Sequence, residues 1–299
     1  MLDRGALAAL GVDDAVLATR RRLDGDAALA FLATLPELAA CWQRRFGLSG
    51  ARLMAGGALS AVLACRRVAD GRAVVLKLSA PHAHGAAAEA AALAAWGGSG
   101  ACALLAASAD GTVLLLDAIE PGVAVEPSGD EASDAREAAA LLSLLHAALP
   151  PAGLPADAEQ LAWRFARARR WIDEGRAAAP VTREELEVAA RAAARLQAGG
   201  PRALCHGDFL DKNILLDHER RWWAIDPMPC TGDPCLDAGF WALHHRPGQA
   251  VRERCALVAR AAGLDAERVW RWARAFAATE AVLDIGAGRA QGHLRMLRA

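Results

Sequence analysis

The chain has 299 residues, more than one compact core usually covers, so two lobes are expected. Its 34 basic residues against 35 acidic ones leave no positive excess of the kind that marks a nucleic-acid binder. Hydrophobic residues make up 54%, much of it alanine, which favours helix, yet no apolar run approaches the ~20 residues of a membrane span. The alanine and arginine bias reads as genomic composition. The seven cysteines (41, 65, 102, 205, 230, 235 and 255) are an odd, scattered set without a Cys-x-x-Cys pair. They are expected to be reduced, mostly buried thiols of a cytoplasmic protein, with no zinc site. The close pairs His82/His84 and His244/His245 lack partners at metal-ligand spacing and read as solvated surface histidines. Asp3 and Arg4 come early and no unbroken apolar stretch follows them, so the start reads as no signal peptide.

In chain order, residues 3–47 read as helices with Leu35, Leu38, Trp42 and Phe46 as core and Pro36 as a break. From 51 the pattern changes to strand, glycine turn, strand, turn, strand. Residues 51–55 are followed by Gly56, Gly57 and Ser60, then 61–68, then the Asp70-Gly71 turn and Val74-Val-Leu-Lys77-Leu. Glycines in the first turn would let backbone N–H groups approach phosphates, although two adjacent glycines by themselves read as a plain hairpin turn. Lys77 is a charge inside an apolar strand. Glu89 is the only charged residue of the helix predicted over 85–96. A lone carboxylate on an apolar helix wants a specific partner, and a Lys77–Glu89 ion pair answers both oddities.

Two further strands are expected around the Asp110-Gly111 turn, and Glu120-Pro121-Gly122 reads as the turn that ends the sheet. Beyond it the chain reads as helical. An amphipathic helix is expected over 134–149, where His146 reads as packed. An arginine-rich helix over 159–176 has mixed charge and reads as a solvated face. A helix opened by the capping box Thr182-Arg-Glu-Glu185 follows. Near the end, Glu280 and Asp284 stand at i and i+4 on one helix face, where like charges repel and can attract a cation.

The most informative stretch is 204–237. His206-Gly-Asp208 is followed by Asn213 five residues after the acid, and by Asp226 after an apolar run. Residues 213–217 and 222–226 are two short apolar segments separated by Asp217-His-Glu-Arg220, which reads as a hairpin. A hairpin would bring Asp226 close to Asn213. Two carboxylates and an amide beside strands are the parts phosphoryl transfer needs. One acid orients the attacking hydroxyl and accepts its proton, while the amide and the other acid hold Mg²⁺ through hard oxygen ligands.

This stretch resembles the catalytic core of the aminoglycoside phosphotransferases, relatives of the protein kinases, and most of all their streptomycin 6-phosphotransferase and hydroxyurea phosphotransferase branch. The resemblance implies an α+β, two-lobed protein-kinase-like fold. It would have a nucleotide-binding lobe over 1–120, with a small antiparallel sheet, and a mainly helical catalytic and substrate-binding lobe over 121–299. It implies Asp208 as catalytic base, Asn213 and Asp226 as Mg²⁺ ligands, and Asp237 as support of the catalytic loop. Lys77, held by Glu89, would meet the nucleotide phosphates near Gly56, Gly57 and Ser60. Backbone at Asp117, Ala118 and Ile119 would bind adenine. Many relatives carry a second His and a Gly where Leu210, Asp211 and Lys212 stand here. That part of the loop faces the acceptor in the family, so Asp211 is a substrate candidate. Glu280 and Asp284 are others, because C-terminal helices line an acidic acceptor pocket in these kinases.

The expected activity is therefore ATP- and Mg²⁺-dependent transfer to a hydroxyl of a small molecule, an aminoglycoside such as streptomycin, by a monomer with no nucleic-acid or membrane partner. GTP is left open as the donor. Two other readings stand beside it: a metabolic kinase for an amino-alcohol or sugar, and a catalytically silent nucleotide-binding module.

Overall fold

In the computed structural model, which describes residues 3–54, 60–80, 85–284 and 288–298, the chain divides into two units. One is Met1–Gly98 with Cys102–Ala118, and the other is Ser99–Ala101 with Ile119–Ala299.

The first unit contains α1 (Arg4–Ala9), α2 (Asp14–Phe46), β1 (Leu48–Leu53), β2 (Ser60–Arg67), β3 (Ala73–Ser79), α3 (Ala86–Trp96), β4 (Leu104–Ala107) and β5 (Val113–Asp117). The five strands form one antiparallel sheet in the order β1-β2-β3-β5-β4. Strand alternation sends Val74, Leu76 and Leu78 into a core shared with Leu63, Phe31, Leu32 and Leu35. Lys77, one residue out of step with that row, pairs in register with Val62 and Leu114. Pro36 does not end the helix as expected. α2 runs through it, and the non-helical residue is Gly25, at φ 63° and ψ −141°. Burial of Leu32, Leu35 and Ala39 outweighs the hydrogen bond a proline removes, because tertiary packing supplies most helical stability in proteins.

The second unit contains β6 (Pro121–Ala124), α4 (Glu131–Ala147), α5 (Asp157–Asp173), α6 (Arg183–Gln197), β7 (Ala203–Cys205), a 3₁₀ turn (Asp211–Asn213), β8 (Ile214–Asp217), β9 (Trp222–Ala224), β10 (Cys230–Gly232), α7 (Pro234–His245), α8 (Val251–Ala262), α9 (Ala266–Leu283) and α10 (Arg289–Arg298). Its strands form a three-stranded sheet, β6-β8-β9, and an antiparallel pair, β7 with β10. The segment from Pro121 is thus not simply a turn. It adds an edge strand to β8, with Pro121 opposite Asp217, a place where a proline's missing N–H costs nothing. The capping box is present: Thr182 Oγ1 accepts from Glu185 N at 3.1 Å, and Glu185 Oε2 accepts from Thr182 N at 2.8 Å.

α7 is buried along all twelve residues. Asp233 caps it, its Oδ1 accepting from Cys235 N at 3.0 Å, while Oδ2 takes Trp272 Nε1 at 2.6 Å and the guanidinium of Arg268. Burial of the whole helix overturns the expectation that His244 and His245 are surface residues. They end a helix packed among α4, α8 and α9, so their neighbours and not their sequence spacing decide their exposure. Cys41 is exposed and the other six cysteines are buried, all as free thiols. No described helix is long and apolar enough to cross a membrane.

Candidate active site

The loop between β7 and β8 carries Asp208 and Asn213, and its shape is set from below. Asp237, fully buried on α7, accepts from the main-chain N–H of His206 and of Gly207 through different carboxylate oxygens, both at 2.8 Å, and from His146 Nε2 at 2.9 Å. Burial alone would raise this carboxyl. The His146 bond and charge, with the main-chain donors, prevail and hold it below the ordinary carboxylate range.

His206 is buried, and that burial lowers its basicity against the pull of the surrounding acids. The bonding network assigns its tautomer. Nε2–H donates to Ile225 O at 3.0 Å, and Nδ1 accepts from Asp208 N at 3.3 Å. Gly207 sits between them at φ 75°. A β-carbon there would lie 1.9 Å from the carbonyl oxygen of Met228, so only glycine fits.

The expected hairpin forms. Ile214 pairs with Ala224, and Ile225 N donates to Asn213 O at 2.9 Å, so Asp226 follows directly beside Asn213. Asp226 takes the left-handed conformation at φ 53°, which is sparsely populated but accessible to aspartate. Asn213 Nδ2 donates to Asp208 O at 2.9 Å and to Asp208 Oδ2 at 2.8 Å. Both amide hydrogens are then committed, and the amide oxygen remains an acceptor. An amide oxygen and a carboxylate on adjoining strand ends are hard donors of the kind Mg²⁺ takes.

Asp208 has a second partner that sequence reasoning missed. Arg164 of α5 places Nη2 3.2 Å from Asp208 Oδ1 and 3.4 Å from Gly207 O, and Nη1 2.7 Å from Glu280 Oε1. Its guanidinium lies 4.7 Å from the Phe240 ring centroid and 5.6 Å from that of Phe276. The arginine-rich helix is therefore not a uniformly solvated face, since Arg164 is only 8% exposed. The signal available was the apolar spacing of Leu161, Phe165 and Ala168, which encloses position 164 on the same side of α5.

The other acidic candidates also hold internal partners. The cation drawn to Glu280 is Arg164. Asp284 pairs with Arg289 at 2.8 and 3.0 Å. Asp211 meets His245 Nδ1 at 2.9 Å, and His245 Nε2 meets Asp134 Oδ2 at 3.0 Å, which ties the middle of the loop to α4.

In the first unit Lys77 Nζ lies 2.6 and 2.7 Å from the two carboxylate oxygens of Glu89, and both side chains are buried, so the pair anticipated from their isolation exists. Ser60 is buried, with Oγ 3.1 Å from Ser79 Oγ. Gly56 and Gly57 lie outside the described residues. Asp117 is paired with Arg72, and its N–H donates to Ala103 O at 2.9 Å. The division between the two units falls between Ala118 and Ile119.

Among solved structures the chain is similar to a choline/ethanolamine kinase family protein from Mesorhizobium loti. The TM-score is 0.58 at 20% identity, over 91% of this chain and 92% of that one. The fold is the protein-kinase-like one. At the level of sequence, residues 45–288 match the family of aminoglycoside/hydroxyurea antibiotic resistance kinases. The chain is 30% identical over 286 residues to a streptomycin 6-kinase of Streptomyces griseus, covering 93% of this chain and 92% of the relative. It is 33% identical over 255 residues to a hydroxyurea phosphotransferase of Kitasatospora aureofaciens, covering 84% and 73% respectively. The chain belongs to this family of antibiotic resistance kinases, and its chemistry is phosphoryl transfer to a small molecule.

Proposed function

We propose that the chain transfers the γ-phosphoryl group of ATP to a hydroxyl of an aminoglycoside of the streptomycin type. The observation that carries this reading is the joining of Asp208, Asn213 and Asp226 by one hairpin and one side-chain amide. The similarity to a streptomycin 6-kinase along nearly the full length of both chains supports the acceptor.

Asp208 is the residue assigned to the acceptor hydroxyl. Its oxygens already take Asn213 and Arg164, and each keeps a lone pair for a further donor. Orientation of the nucleophile is the contribution such an acid makes, because phosphoryl transfer proceeds through a loose transition state in most analyses and catalysis is mainly positioning and charge neutralisation. Asn213 and Asp226 are assigned to Mg²⁺, which when bound neutralises phosphate charge. Lys77, steadied by Glu89, is assigned to the nucleotide phosphates. The segments with Gly56, Gly57 and Ser60, and with Asp117, Ala118 and Ile119, are assigned to the rest of the nucleotide. Arg164 is a positioning residue for Asp208.

The test is ADP release by the purified full chain with ATP and Mg²⁺ against a panel containing streptomycin, hydroxyurea, choline and ethanolamine, with the product identified by mass. Streptomycin should be phosphorylated. Asp208→Asn should keep its fold and its ATP binding and lose about 10²- to 10⁴-fold in kcat. Transfer to choline or hydroxyurea alone would move the acceptor to that class, and ATP binding without transfer to anything would leave the silent-module reading.

A further inference from the structure

Behind Glu280 lies a group of side chains that phosphoryl transfer does not use. His244 at the end of α7, Asp284 just after α9 and His293 on α10 each offer one ligand atom, and the three atoms lie within 4.8 Å of one another. Their side chains are 5, 8 and 0% exposed. His293 Nδ1 is buried without a hydrogen-bond partner and His244 Nε2 faces only the Glu280 carboxylate, in rings whose centroids are 4.9 Å apart at 63°. A buried nitrogen left unmatched is destabilising and calls for a partner.

Two carboxylates stand beside them. Asp284 Oδ2 is 3.3 Å from His293 Nε2, and Glu280 Oε2 is 3.3 Å from His244 Nε2. Neighbouring ligands around a tetrahedral ion with bonds of about 2.0 Å stand at about that spacing. Each carboxylate also keeps an arginine, Arg289 on Asp284 and Arg164 on Glu280, which is how outer partners orient metal ligands. Among the described residues a second cluster of this kind, His146, Cys205 and Asp237, is already used. Asp237 holds the loop through His206 N, Gly207 N and His146.

We infer that His244, His293 and Asp284 form a binding site for a zinc-class transition-metal dication where α7, α9 and α10 meet, with the fourth position left to water. Two imidazoles select such an ion over Mg²⁺, which takes oxygen ligands. The site is therefore separate in kind from Asn213 and Asp226. Small side-chain rotations bring the three ligand atoms to the spacing of a tetrahedral site. The site does not depend on the identity of the acceptor, and it is tested without nucleotide.

Metal-stripped full-length chain is titrated with Zn²⁺ by calorimetry and with Co²⁺ by absorption. One ion per chain is expected, with the ligand-field bands of tetrahedral Co²⁺, no thiolate charge-transfer band, and no displacement by excess Mg²⁺. His293→Gln and, separately, Asp284→Asn should each weaken binding by at least the roughly 10- to 100-fold that loss of an outer partner costs. If His293→Gln fails to fold, Asp284→Asn carries the comparison. Absence of a bound ion, affinity unchanged by the substitutions that fold, or a thiolate band placing Co²⁺ on cysteine overturns the site.

Discussion

Arg164 and Asp208 form a partly buried contact between a guanidinium and the acid at the centre of the loop, 3.2 Å from Nη2 to Oδ1. The other arm of the same guanidinium holds Glu280 at 2.7 Å. Removing the cation from this trio leaves two carboxylates facing each other without it. Arg164→Met should cost about 3–5 kcal/mol of stability and lower kcat while leaving the affinity for nucleotide close to that of the unaltered chain. Arg164→Met with Glu280→Gln should recover most of the stability and not the turnover. Equal unfolding free energies for the single and double variants, measured in urea, would show that Glu280 is not the partner that matters.

The acid limb of stability follows from the same group. Burial would raise the Glu280 carboxyl. The charge of Arg164, with His244 beside it, more than offsets this and brings it down to about 2 from an ordinary 4.5. The unfolded chain takes up a proton near pH 4.5, whereas the folded chain does so only near 2. The contribution is therefore complete above about 4.5 and is lost as pH falls from there to 2. Unfolding midpoints compared at about pH 5.5 and 3.5 should fall less for Glu280→Gln than for the unaltered chain. Parallel declines would remove Glu280 from the acid response.

Lys77 and Glu89 are only 6 and 7% exposed in their side chains, so neither tolerates loss of the other. Glu89→Ala should destabilise the first unit by about 3–5 kcal/mol and raise KM for ATP. Lys77→Met with Glu89→Leu should restore much of the stability and none of the activity. A double variant with normal turnover would separate this pair from the nucleotide.

Gly207→Ala combines a positive φ with a β-carbon 1.9 Å from Met228 O. The loop must shift or the chain must unfold, at a cost of at least about 3 kcal/mol. Circular dichroism melts and ADP release should fall together. An active, equally stable alanine variant would mean that Met228 moves aside freely.

What could be read in the sequence was local or odd. Asn213 and Asp226 are joined by a short hairpin with clear turn chemistry. Lys77 and Glu89 were each conspicuous as a charge in apolar surroundings, and that anomaly pointed across twelve residues to the right partner. Arg164 was hidden for the opposite reason. On a helix full of arginines, nothing singles out the one whose position faces Phe240 and Phe276 from other elements. His244 and His245 were misjudged because exposure depends on α7 being enclosed along its whole length, which no window of its own sequence reveals. Pro36 failed as a helix stop because packing of its neighbours overrode a local rule, and β6 was missed because an edge strand of four residues carries almost no periodic signal.

Asp237 grips the loop by the main-chain N–H groups of His206 and Gly207, not by any side chain of the loop's middle. The curve of the chain around Asp208 thus owes little to the side chains at Leu210 and Lys212. Substitutions at those two positions are expected to leave the aim of Asp208 unchanged. Anchoring of this kind separates the geometry of the loop from the chemistry its side chains present.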